Sequence, residues 1–216
     1  MLKAMACAGA AAVTTAALAA EKANVSPSQP KIFPIREVYC PAHFGNAYEA
    51  MWPNEMRAYL AELKWWGFNR YSDWLTTTDV RNPYQSDAYW DLATEQLDRK
   101  KRAFAAAQAE GLGVNLILTP NHVYLDQLRP EYAATKGPRV QGQLICPSNP
   151  AARKIILDNA ENWFADLAAS GVKLSAITAF AYDYGGCACD QCKPWILTWA
   201  RLLREIHAIA RKHHPE

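Results

Sequence analysis

Three cysteines, Cys187, Cys189 and Cys192, follow directly on Tyr182-Asp183-Tyr184-Gly185-Gly186, so a carboxylate, two phenols and three thiols share one short stretch. Thiolates at this spacing can wrap a single cation. Cys146, ahead of a later helix, is a candidate fourth ligand, and Cys146, Cys187, Cys189 and Cys192 together make a sulfur set suited to structural zinc. The same thiols could pair as disulfides, which an exported protein favours, or remain free. The chain has six cysteines; losing Cys7 with a leader would leave an odd number, which does not close into disulfides alone. A redox role for Cys189 and Cys192 lacks a thioredoxin-like setting.

Regular elements must bring these residues together. Short apolar strands alternate with longer amphipathic helices, and the pattern predicts four strand-helix units. The strands are Ile35–Tyr39, Asn69–Trp74, Val114–Leu118 and Leu174–Ala181. The first helix runs from Glu55 to Trp66 behind an Asn54 cap, and Asp87 caps the second, whose apolar stripe includes Leu92, Leu97 and Phe104. Ser148 or Asn149 caps the third, with Pro150 in its first turn, and the last starts at Pro194 with Leu197, Leu202 and Ile206 on its apolar side. Gly67, Gly111 and Gly171 end the first three helices. Such a series implies an α/β fold with a parallel sheet.

The first strand leads into Cys40-Pro41-Ala42-His43-Phe44-Gly45, which lacks the glycine fingerprint of a phosphate-binding doubly wound sheet. Long connections after strands and short ones after helices instead fit a (β/α) barrel. An eight-unit barrel takes about 250 residues, so four units predict a partial TIM barrel, its amino-terminal half, over residues 35–216. Half a barrel leaves the first and fourth strands unpaired, which predicts self-association.

In a barrel the residues just past each strand face one rim, where barrel enzymes keep their active sites. This puts His43, Asp73, Trp74, Asn121, His122, Tyr182, Asp183 and Tyr184 at the candidate site. Asp73 and Asp183 are the candidate catalytic carboxylates, against the plainer role of capping turns or pairing with cations. His43, Asn121, His122, Tyr182 and Tyr184 are candidate substrate contacts. Trp74 could stack on a sugar face or fill space beneath a loop. Trp65, Trp66, Trp90, Trp163 and Trp199 fall in helices and are assigned to packing.

Half the chain is hydrophobic and the net charge is only +2. That supports a sizeable core and gives no electrostatic case for nucleic acid or an anionic membrane. Met1–Ala20, with Lys3, an alanine-rich stretch and small residues at Ala17 and Ala19, has the form of a secretory signal. Residues 21–34 then read as a linker, and the expected location is secreted or periplasmic.

Leu118-Thr119-Pro120-Asn121, Ile145-Cys146-Pro147-Ser148 and the run from Tyr182 through Cys187, Cys189 and Cys192 to Trp195 resemble the catalytic barrels of secreted bacterial glycoside hydrolases distantly like the β-N-acetylhexosaminidases. The resemblance implies a carbohydrate substrate. It matches Asp183 to the aspartate that orients a substrate acetamido group, and it sets Tyr184 where the family carries a glutamate general acid. The alternatives are a non-catalytic, zinc-stabilised carbohydrate-binding or interaction module, and an inactive gene fragment.

Overall fold

The structure is a computed structural model that describes residues 33–39, 50–75, 80–86, 91–136, 144–181 and 186–215. The chain divides into Met1–Pro34 and Ile35–Glu216, and the fold is that of the second unit. Its elements are β1 (Glu37–Tyr39), α1 (Pro53–Trp65), β2 (Arg70–Trp74), α2 (Leu92–Ala109), β3 (Gly113–Leu118), α3 (Pro150–Ala169), β4 (Leu174–Ala179) and α4 (Trp195–His213). The fold is α/β, with strands in the order β1-β2-β3-β4 and every neighbouring pair parallel.

Each helix starts for a local reason. Pro53 opens α1, where the Glu55 carboxylate accepts the Trp52 backbone N–H at 2.7 Å. Asn149 caps α3 through the Ala151 and Ala152 N–H groups, as its sequence predicts. At α2 the cap is Asp91, which accepts from Thr94 N–H at 2.9 Å; Asp87 and Trp90 lie outside the described residues. The later start leaves Leu92 in the first turn, 61% exposed, rather than in the buried stripe.

Three helices end alike. In each, the glycine N–H donates to the carbonyl three residues back and the next N–H to the carbonyl five residues back, all at 3.0 Å: Gly67 to Lys64 with Phe68 to Leu63, Gly111 to Gln108 with Leu112 to Ala107, and Gly171 to Ala168 with Val172 to Leu167. All three glycines have positive φ, which a side chain would disfavour. Each of these three helices is thereby returned to the sheet by a tight turn, and the longer connections lie at the other end.

One continuous core explains how the layers stack. It joins Leu60 of α1, Phe104 of α2, Ile156 and Phe164 of α3, and Leu202 and Ile206 of α4 with alternate strand residues, among them Tyr71, Val114, Leu116 and Ile177. All four helices therefore share one face of the sheet. A doubly wound sheet would have divided them between two.

The other face carries a hydrogen-bonded polar row. Glu37 accepts from Ser72 and, at 2.7 Å, from Asn115, which also donates to Thr178 at 2.9 Å. Arg70 stands 3.8 Å from the same carboxylate. Ser72, Asn115 and Ile117 of this face are fully buried.

The long connection after β3 is ordered where it is described. Two short 3₁₀ turns, Leu125–Gln127 and Pro130–Tyr132, and two antiparallel bridges, His122 to Leu144 and Ala133 to Ile145, fold it back on itself. Tyr124 is buried within it and its hydroxyl accepts from Trp163 Nε1 at 2.9 Å. Trp163 and Trp199 are buried as expected, but Trp65 and Trp66 end α1 largely in solvent, the latter 65% exposed. No helix among the described residues is long and apolar enough to cross a membrane.

Candidate metal centre and the adjoining rim

The connection after β3 delivers Cys146, and the loop after β4 delivers Cys187, Cys189 and Cys192. The two are laced together by main-chain bonds. Ala188 N–H donates to the Thr135 carbonyl at 2.9 Å and Thr135 N–H to Cys187 Sγ at 3.3 Å, while Cys146 N–H is held by the Tyr132 carbonyl at 2.9 Å. A 3₁₀ turn over Asp190–Cys192 brings Cys192 back beneath Cys189. Ser148 Oγ completes the lacing, 3.1 Å from Cys192 Sγ and 3.2 Å from the Gln191 carbonyl to which it donates.

The four sulfurs lie within 4.8 Å of one another. Cys146 Sγ is 3.7 Å from Cys189 Sγ and 3.6 Å from Cys192 Sγ. A zinc–sulfur bond near 2.3 Å puts tetrahedral sulfurs about 3.8 Å apart, whereas a disulfide needs about 2.0 Å. All four residues are free thiols in the structure. The spacing is that of ligands around one ion, and this cluster can hold a metal.

The surroundings suit a structural site. Cys146, Cys187 and Cys192 are buried with Ala134 and Leu144, and Trp195 and the less buried Cys189 close the group. Burial pushes the Cys146 thiol up and the Cys192 thiol well above its ordinary value. At Cys189 burial acts the same way, but hydrogen bonds from Cys187 and Cys192 outweigh it and hold the thiol lower. Buried thiols that resist ionising alone become thiolates together when a cation shares their charge.

Gly186 sets the entry to the cluster. Its φ is 100°, and a Cβ there would fall 2.2 Å from the Trp195 ring. Gly186→Ala should therefore lower stability by about 2–4 kcal/mol through backbone strain and overpacking, measured as a lowered urea midpoint.

Beside the cluster, the rim separates the predicted site residues into two environments. Trp74 lies on the strand face opposite Asp73. Its ring lies 6.2 Å from Tyr39 and 5.9 Å from Phe180, edge-on to both, and with Ile117, Thr119, His122 and Trp163 it lines a small hollow. Asn121 and His122 are both buried, and Asn121 Nδ2 has no hydrogen-bond partner among the described residues. Asp73, one residue away, points into the helix layer. It is fully buried, with the Lys100 ammonium at 3.0 Å, the Tyr71 hydroxyl at 3.1 Å and its own Trp74 N–H at 2.9 Å. Strand alternation thus puts Asp73 and Trp74 on opposite faces.

His43, Tyr182, Asp183 and Tyr184 lie outside the described residues; the last three fall between Ala181 and Gly186, which are described. Glu37, which accepts hydrogen bonds from Ser72 and Asn115, is a strand carboxylate that sequence reasoning passed over. The available signal was its position one residue before Val38, which packs against the core. No family model matches the chain, and no curated protein matches it.

Proposed function

We propose that this chain is a zinc-clamped partial (β/α) barrel that binds or acts on carbohydrate at the carboxyl ends of its strands, in the manner of the secreted glycoside hydrolases its motifs resemble. The observation that carries this reading is that the four-cysteine cluster ties the segment after β3 to the loop after β4, at the rim where Trp74 and His122 line a hollow. Four sulfur ligands with no open position make a structural zinc site, so the metal fixes loops and leaves chemistry to neighbouring side chains.

Among those side chains, half-exposed Tyr39, edge-on to the buried Trp74, supplies an aromatic surface suited to the apolar face of a pyranose, and the Asn121 amide donor suits a hydroxyl or amide oxygen. Asp183, at the head of the cysteine loop, is the proposed catalytic carboxylate. Asp73 enters as a structural ion pair, because its oxygens are already taken by Lys100, Tyr71 and Trp74. Glycoside cleavage uses two carboxyl groups. That commitment of Asp73 favours, as a second reading, a domain that binds carbohydrate without cleaving it.

The test is zinc analysis of chain purified without chelator, followed by retention on polysaccharides and turnover of aryl glycosides. One zinc per chain with retention is expected, and Asp183→Asn should abolish any turnover while leaving the metal in place. Retention without turnover selects the binding module. Chain that carries zinc but neither binds nor cleaves any glycan refutes the carbohydrate reading.

A further inference from the structure

The four sulfurs of the cluster come from two segments in unequal shares. Cys146 is the one cysteine between β3 and α3, whereas Cys187, Cys189 and Cys192 all belong to the loop between β4 and α4. Any tie between the two segments through sulfur therefore includes Cys146. Its Sγ stands 3.7 Å from Cys189 Sγ and 3.6 Å from Cys192 Sγ, close enough for a small shift to bring either into bonding range. Access separates these two neighbours. Cys192 is sealed from solvent, with Ser148 Oγ 3.1 Å from its sulfur, and Cys146 and Cys187 are buried as well. Cys189 alone of the four is partly open, so a small oxidant meets its sulfur first.

We propose that the cluster is a clamp with two interchangeable states, a four-thiolate metal site when reduced and a Cys146–Cys189 disulfide when oxidised by a small peroxide, each joining the same two segments. The inference rests on the metal half of the reading above. The Cys189 thiolate attacks one peroxide oxygen; the O–O bond breaks, hydroxide leaves and a sulfenic acid forms. The Cys146 thiolate then attacks that sulfur and displaces a second hydroxide as the S–S bond closes. Two thiolates have given up two electrons, and one peroxide has taken them. The two thiolates that remain are half the set a tetrahedral site uses, so the ion is released. A dithiol reductant reverses the step by exchange, returning both thiolates and leaving as its own disulfide. Cys192 is the less suited second sulfur. It is pinned by Ser148 and by its own N–H, which donates to the Cys189 carbonyl at 3.0 Å inside the same turn. Cys146 lies 43 positions from Cys189 and is held near it only by the fold. A bond over that span constrains the unfolded chain far more than one within the Cys189–Cys192 turn, so the folded state favours it.

Treatment of the zinc-loaded full chain with stoichiometric hydrogen peroxide tests the proposal, read by zinc release to a chromogenic chelator, intact mass and peptide mapping. Zinc is expected to leave in step with a mass loss of about two units, and the map should show Cys146 joined to Cys189. Dithiothreitol with added zinc should restore the starting mass and metal content. The oxidised chain should melt about 5 °C or more above the reduced chain held in chelator, because the bond still ties the two segments. The same oxidation in urea, where the segments part, should give no Cys146–Cys189 bond. A bond from Cys189 to Cys187 or Cys192, oxidation to sulfinic acid with no bond, or an oxidised chain that melts with the metal-free one would each overturn the two-state clamp. Chain that never holds zinc refutes the metal reading and the exchange with it, whereas zinc-loaded chain that forms the wrong bond refutes the exchange alone. No sugar enters the readout, so a failed carbohydrate assay is a separate result.

Discussion

Chain carrying Cys192→Ser should purify with less than about a tenth of the zinc of the wild type, since loss of even an outer-sphere partner costs roughly 10–100-fold in metal affinity and a lost ligand costs more. Cys192 is the most deeply buried of the four cysteines and touches both Cys146 and Ser148. The measurements are metal content and intact mass. A disulfide would lower the mass by about two units per bond with no metal present, whereas a metal centre leaves the mass of the reduced chain unchanged. The thermal effect should also be large. If free zinc stands about 1,000-fold above its dissociation constant, binding adds about 4 kcal/mol to the folded state, and in a chain of this size each kcal/mol moves the melting midpoint by roughly 2–4 °C. Chelator should therefore lower the wild-type midpoint toward that of Cys192→Ser and leave the variant unmoved. If both proteins melt together with and without chelator, the cluster holds no stabilising metal.

Lys100→Met is expected to destabilise the domain by about 3–5 kcal/mol, the usual cost of leaving one member of a buried ion pair alone. Asp73 has no solvent to turn to, and its remaining donors are one phenol and one backbone N–H. The pH dependence gives the effect a signature. Burial raises the Asp73 carboxyl above the ordinary carboxylate range, and the Lys100 charge and hydrogen bond oppose that rise. A folded-state value above the unfolded one means that the fold favours the proton. Stability from this group is therefore complete below the unfolded value and is lost as pH rises through the folded one. Without Lys100 the opposing cation is gone and the folded value climbs further, so Lys100→Met should fall furthest behind wild type near neutrality and recover part of the gap in acid. Urea unfolding of both proteins at about pH 4.5 and about pH 8 reads this directly. Asp73→Leu combined with Lys100→Met removes both charges and should lie closer to wild type than Lys100→Met alone. If the double variant is as unstable as the single, the loss comes from packing and not from an orphaned carboxylate.

Much of the scaffold could be read from the sequence because its signals are local. Asn149-Pro150 starts a helix by its own hydrogen bonds, and Gly67, Gly111 and Gly171 stop helices by their own φ angles. The cysteine cluster was legible too, since Cys187, Cys189 and Cys192 are neighbours in the chain, and only Cys146 had to be drawn in from a distance. What could not be read was the direction of side chains in short strands. Tyr71, Ser72, Asp73 and Trp74 are all buried, so their burial has no period that tells one face from the other. A usable clue lay elsewhere: Lys100 sits between Leu97 and Phe104 on the buried stripe of α2, and a cation there implies a carboxylate opposite. The start of α2 was misplaced because Asp87 and Asp91 are both good caps, and only the observed bond from Thr94 decides between them. The exposed Trp65 and Trp66 reversed a reading from residue type alone, which carries no information about the end of a helix.

The three matching turns after α1, α2 and α3 also bear on the order in which the molecule assembles. Their bonds join residues only three and five apart, so they close at little entropic cost and let each helix dock on the strand that follows it. The bonds that form the cysteine cluster reach from Cys146 across some forty residues to Cys189 and depend on β3 and β4 already lying side by side. Metal uptake is thus expected to be the last event of folding, on a sheet that has already formed. Stopped-flow refolding with and without zinc should then show equal rates of helix recovery and differ only in a final slow phase.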